Sequence, residues 1–133
     1  MRRALAATAA AALLAGCGTP GADLFVARRA GSVPGAALTM RVIDDGQVIC
    51  NDRQHDLPSG LLIAARELVR DLTDPAKART SLAPRRGSVL RYRISTEDGS
   101  VAFADNSRRQ PAAFYRAALL VRQIAKGACG LPR

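Results

Sequence analysis

Apolar and polar residues change places along this chain with two different periods. Leu38-Thr39-Met40-Arg41-Val42-Ile43 and Val89-Leu90-Arg91-Tyr92-Arg93-Ile94 alternate with the period of two that marks a half-buried strand. Each run is followed by an acidic turn ending in glycine, Asp44-Asp45-Gly46 or Glu97-Asp98-Gly99, where glycine accepts positive φ. Return strands follow, Gln47-Val48-Ile49-Cys50 and Val101-Ala102-Phe103-Ala104. Two other segments repeat at helical spacing. Pro58 opens a helix from Ser59 to Leu72, with Leu61, Ala64, Ala65, Leu68 and Leu72 as its apolar stripe and Asp56 placed to help cap it. Pro111 opens a second helix with the stripe Phe114, Ala117, Ala118, Val121, Ile124 and Ala125; Gly127 is its expected left-handed cap. Leu24 to Arg29 reads as a further strand that ends at Ala30-Gly31. Thr73 to Ser88 reads as a polar connection carrying Pro75, Pro84 and Gly87.

These elements predict an α+β fold: an antiparallel sheet of about five strands with both helices packed on one face, in ββα-ββα order. Gly46 and Gly99, Val48 and Val101, and Pro58 and Pro111 are each 53 positions apart. A single ββα unit cannot bury its own face, but two side by side can. Duplication and coincident turn chemistry predict the same architecture. Leu38, Met40, Val42, Leu90, Tyr92 and Ile94 then point inward, and Arg41, Arg91 and Arg93 point outward. One face of an antiparallel sheet can be wet, and here that face is basic.

The chain has 133 residues, enough for one domain, and is 48% hydrophobic, which argues against wholesale disorder. It opens with Met1-Arg2-Arg3, an apolar run from Ala4 to Ala15, and Gly16-Cys17-Gly18. A basic start, a short apolar core and small residues before a cut make a secretory signal, too short to stay as a membrane span. Leu14-Ala15-Gly16-Cys17 resembles the bacterial lipobox. That resemblance implies cleavage before Cys17, lipid on its thiol and acylation of the new amino terminus. The other reading is an ordinary signal peptide with a chance cysteine. The expected organisation is a signal peptide at 1–16, a tether at 17–23 and one α+β domain at 24–133. The expected location is the cell membrane, lipid-anchored on the extracytoplasmic side. In general features the chain resembles small actinobacterial-type lipoproteins, which share the lipobox and high Ala and Arg usage.

With Cys17 given to lipid, Cys50 and Cys129 have one possible pairing, and an exported chain meets an oxidising compartment. A bond between them closes a loop of about 80 residues, stabilising by roughly 4 kcal/mol in the chain-entropy model. Two buried free thiols are the alternative.

The formal net charge is +9, and arginine outnumbers lysine 18 to 2. Arg41, Arg91 and Arg93, with Arg28 or Arg29, form a guanidinium field on the open face. Arginine holds carboxylates and phosphates in two-pronged geometry, so an acidic protein or an anionic envelope polymer is the expected partner. A solvated face enriched in arginine by genome composition has the same pattern. Arg79, Arg85 and Arg86 mark the 73–88 connection as a second candidate binding element. Nucleic acid is a poor candidate, because the export signal removes the chain from it and aromatic stacking platforms are absent. His55 lies between Asp52 and Asp56, but residues within one short turn rarely converge on one atom, so they read as solvated loop. The acidic pairs before Gly46 and Gly99 are explained by turn chemistry. No nucleophile–base pair, phosphate-binding glycine loop or metal-ligand set is recognisable, so neither catalysis nor a cofactor is expected.

Arg29-Ala30-Gly31-Ser32-Val33-Pro34-Gly35, following the strand that contains Phe25, resembles emfourin, a small bacterial protein inhibitor of thermolysin-like metalloproteases. Leu90-Arg91-Tyr92-Arg93-Ile94, then Asp98-Gly99 and a terminal helix, extend the likeness. Ser32 stands where a second glycine belongs, and the lipobox and the two later cysteines are departures. The resemblance implies docking to a protease and carries over no site residue. The leading expectation is a lipid-anchored, non-enzymatic binding domain, and the alternative is an inhibitor of an extracellular protease.

Overall fold

A computed structural model describes residues 21–133. The signal peptide, Cys17 and most of the tether lie outside the described residues. At the centre of the sheet is β1 (Asp23–Gly31). It is flanked on one side by β2 (Leu38–Ile43), β3 (Gln47–Cys50) and β4 (Arg53–Asp56), and on the other by β5 (Leu90–Thr96) and β6 (Gly99–Ala104). The spatial order is β4-β3-β2-β1-β5-β6, with every neighbouring pair antiparallel. Two helices, α1 (Ser59–Lys77) and α2 (Ala112–Gly127), close over one face. The α+β class and the antiparallel sheet are as the alternation predicts. The sheet has six strands rather than about five, and β4 between β3 and α1 breaks the simple ββα order.

β4 exists because of its turn. Asn51 and Asp52 both adopt positive φ, +47° and +67°, the backbone of a two-residue hairpin whose twist suits the flanking strands. Asn51 also ties the turn to β2: its amide donates to Thr39 O at 2.8 Å and its side-chain oxygen accepts from Thr39 N at 2.9 Å.

The core forms from the inward positions of each strand. Phe25 and Ala27, Met40 and Val42, Val48, Ile94, and Val101 and Phe103 are all buried, and they meet Leu68 and Leu72 of α1 and Phe114, Val121 and Ile124 of α2. Tyr92, Phe103 and Phe114 stack in series, with ring centroids 5.1 and 4.8 Å apart. The Cys50–Cys129 disulfide is present, with Cα atoms 6.3 Å apart, and it ties the end of β3 to the segment after α2 across 79 residues.

Three local expectations are corrected. First, α1 runs five residues beyond Leu72, through Pro75 to Lys77. Proline in the last turn costs only the one amide that would have bonded to Asp71. The helix ends where Thr80 N donates to Pro75 O and Arg79 N to Ala76 O, both at 2.9 Å, with Arg79 in the left-handed region at φ +51°. This is a Schellman closure with arginine in the place usually held by glycine. Second, neither helix has a side-chain cap bond; Pro58 and Pro111 occupy the N-cap positions, and Asp56 does not cap α1. Third, Gly127 is the last helical residue of α2, and the left-handed glycine is Gly130 at φ +64°.

The 73–88 connection is therefore ordered throughout. After α1, Ser81 forms a parallel bridge with Ala102 of β6. Ala102 N donates to Thr80 O at 3.0 Å and Leu82 N donates to Ala102 O at 2.8 Å, so this segment covers part of the β6 edge. Gly99 explains how close the helix comes: a Cβ there would lie 2.2 Å from Ala76 O.

Candidate functional site

The open face of the sheet carries the side chains that β1, β2 and β5 turn away from the helices. Antiparallel register sets them in rows. Arg28 lies directly opposite Arg93, and Ala30 lies opposite Arg91. Like charges facing each other across two strands destabilise the pair, and no ion pair relieves these three arginines among the described residues. The ion pairs there are Arg41–Asp23, Arg66–Asp44, Lys77–Asp98 and Arg116–Asp71.

The structure separates the candidate arginines by environment. Arg41 points outward but is held by Asp23, with Nη2 3.0 Å and Nε 3.3 Å from the two carboxylate oxygens. This hydrogen bond and the adjacent negative charge raise its pKa above the usual value. Arg28 and Arg29 go opposite ways, as period two requires. Arg28 is exposed and joins the open face. Arg29 is 4% exposed and donates to Ala36 O at 2.8 Å, Gly35 O at 3.1 Å and Arg133 O at 3.2 Å. Burial pushes its pKa down from the usual arginine value, and the three carbonyls compensate its lost hydration. Arg29 is thus a structural strap.

The three loop arginines do not form one group. Arg79, at the end of α1, lines an open cleft of ≈ 470 Å³ together with Arg93, Thr80, Ser81, Ser95, Gly99, Ser100 and Ala102. Arg93 Nη1 donates to Ser100 Oγ there at 3.4 Å. No carboxylate lines this cleft. Arg85 and Arg86 lie on a separate turn at the other end of the β6 edge. Asn106 clamps that turn: its side-chain oxygen accepts from Arg85 N at 3.0 Å, and its amide donates to Arg85 O and Arg86 O. Asp105 supports the same turn, accepting from Ser88 Oγ at 2.8 Å and Val89 N at 3.2 Å. Burial alone would raise the Asp105 pKa, but the Ser88 hydroxyl and the backbone amides of Val89, Leu90 and Asn106 outweigh it and hold the carboxyl below its usual range.

His55 sits half-buried on β4 opposite Val48, and Asp52 lies in the preceding turn. Among the described residues no group of three or more His, Cys, Asp and Glu side chains is placed to hold a metal ion. No helix among them is long and apolar enough to cross a membrane.

The fold thus sets Arg28 opposite Arg93, with Arg91 and Arg41 each on the diagonal from Arg28. Arg41 differs in being held by Asp23, Arg79 joins Arg93, and Arg85 and Arg86 lie apart. The hydroxyls of Thr80, Ser81, Ser95 and Ser100 are absent from the sequence reading. Ser95 continues the outward row of Arg91 and Arg93, and the Glu97-Asp98-Gly99 turn sets Ser100 opposite it; that register was the available signal. No protein-family model matches the chain, and neither a curated protein nor a solved structure matches it.

Proposed function

We propose that this chain is a non-enzymatic binding domain, lipid-anchored through Cys17 on the outer side of the cell membrane, whose open sheet face recognises an anionic partner in the envelope. The observation that carries the binding role is the cross-strand pairing of Arg28 with Arg93 beside Arg91. A sheet that needed only solubility gains nothing from guanidinium groups opposed without a counter-charge, whereas an anion bridging them removes the repulsion and accepts paired hydrogen bonds. The anchor rests on Leu14-Ala15-Gly16-Cys17 after the basic start and apolar run. Each buried methylene stabilises membrane binding by about 0.8 kcal/mol, so one acyl chain is marginal and two or three hold a domain stably.

Mass spectrometry of the amino-terminal peptide from the membrane fraction tests the anchor. The expected species begins at Cys17 and carries acyl chains; an unmodified Cys17 in a chain retained in the cytoplasm contradicts it. Retention of envelope material by the immobilised protein, weakening as salt is raised, tests the recognition.

A further inference from the structure

The cleft at the β6 edge is more specific than a basic surface. We propose that it is a binding site for a phosphate ester group, seated between Arg79 and Arg93. This rests on the reading that the β5–β6 side is the recognition surface, and it narrows the anionic partner to phosphate chemistry.

Two arginines line the cleft from different elements, Arg79 from the end of α1 and Arg93 from β5, and no carboxylate lines it to compete for them. The hydroxyls of Thr80, Ser81, Ser95 and Ser100 lie in or at the same cleft. Its one internal side-chain hydrogen bond among the described residues is the long Arg93–Ser100 contact at 3.4 Å, so most donors are left for a ligand. A carboxylate is satisfied by the fork of one arginine. A phosphoryl group offers three strong acceptor oxygens and can engage both guanidinium groups and a hydroxyl together. The open volume of ≈ 470 Å³ leaves room for the rest of the ester.

The backbone that carries the donors is also held in place before any ligand arrives. The main chain at Arg79 is fixed by the closing bonds of α1, and that at Thr80 and Leu82 by bonds to Ala102. Such preorganisation lowers the ordering cost of binding. Arg79 keeps a charged side chain at φ +51°, where glycine would be less strained. Helix termination alone does not call for arginine there.

The test is a titration of the ¹⁵N-labelled full chain in maltoside micelles with inorganic phosphate, at constant ionic strength, with chloride and acetate as reference anions. Saturable amide shifts at Thr80, Ser81 and Ser100 are expected with phosphate and not with the reference anions. Arg79→Gly, which suits the left-handed backbone and so preserves the fold, is expected to weaken binding by about tenfold or more, as loss of a charged hydrogen-bond donor implies. Arg93→Gln is expected to do the same, and Arg108→Gln to leave binding unchanged. Equal shifts with acetate, or phosphate binding unchanged in Arg79→Gly, would overturn the site. Phosphatidic acid, whose headgroup is a phosphate monoester, and phosphatidylcholine vesicles then identify the source. Phosphatidic-acid-selective binding lost in Arg79→Gly supports the site with a lipid headgroup as its ligand. Vesicle binding unaffected by Arg79→Gly, with phosphate shifts lost, supports it with a non-lipid phosphate. Failure of the phosphate titration with salt-sensitive envelope retention intact would remove only the cleft; loss of both would remove the anion-binding face itself.

Discussion

The two hairpins beside β1 handle their arginines in opposite ways. On the β2–β3 side, Asp23 holds Arg41, and Asp44, at the start of the hairpin turn, accepts from Arg66 of α1 at 2.6 Å. On the β5–β6 side, Arg28 faces Arg93 across the strands, with Arg91 close by and Arg79 at the edge, and no carboxylate pairs with any of them among the described residues. Both sides share the same sheet, the same turn chemistry and the same solvent. Folding therefore tolerates arginine on either side, but pairs Arg41 of β2 with a carboxylate and leaves Arg28, Arg91 and Arg93 without one among the described residues. The unneutralised side is where an external anion has something to gain.

The comparison can first be strained from the β3 side. Replacing Cys50 and Cys129 together by alanine is expected to cost about 4 kcal/mol of stability, because the bond closes a long loop in the unfolded chain. Chemical denaturation measures this, and envelope retention at low temperature is expected to persist, since the β5–β6 arginines do not depend on the bond. Next in size is Gly99→Ala at the floor of the cleft. The added Cβ meets Ala76 O on a backbone at φ +144°, so a loss of about 2 kcal/mol is expected. Thermal unfolding of the variant checks it, and a loss below about 0.5 kcal/mol would mean that α1 stands further from β6 than described.

A smaller and opposite effect is expected from Arg28→Glu. It turns a repulsive cross-strand pair with Arg93 into an attractive one, and the fold should gain about 0.5 kcal/mol while retention of envelope material falls. A variant that is both less stable and fully competent to bind would break the comparison. The smallest effect concerns acid. The Asp105 carboxyl is held below its ordinary value of 3.8 by hydrogen bonds that outweigh its burial. A depressed folded pKa contributes stability that is present above the unfolded value and lost as pH falls through the folded one. Urea midpoints of the parent chain should therefore drop below about pH 4, and Asp105→Asn should flatten that drop.

The alternating strands and their acidic-Gly turns were legible because period two and turn chemistry are local signals. The inward set from Leu38 to Val42 and from Leu90 to Ile94 follows directly. β4 was not legible: Arg53-Gln54-His55-Asp56 contains no apolar residue, so no periodicity reveals it, and it forms because the Asn51-Asp52 turn presents it to β3. The last turn of α1 was hidden by Pro75, which reads as a breaker although only one amide bond is lost. Arg29 was ambiguous because its burial depends on carbonyls at Gly35, Ala36 and Arg133, two of them close in sequence and one at residue 133. The cleft was invisible for the same reason. It is made by Ser81 bridging to Ala102, a contact between segments that no local pattern joins.

The central claim is that the unneutralised arginines, and not the paired ones, carry recognition. Salt-dependent retention of envelope material by immobilised protein tests it most directly when Arg28→Glu with Arg93→Glu is compared with Arg41→Glu. The account predicts that retention and its salt dependence disappear in the first variant and survive in the second. Equal loss in both, or no loss in either, would contradict it.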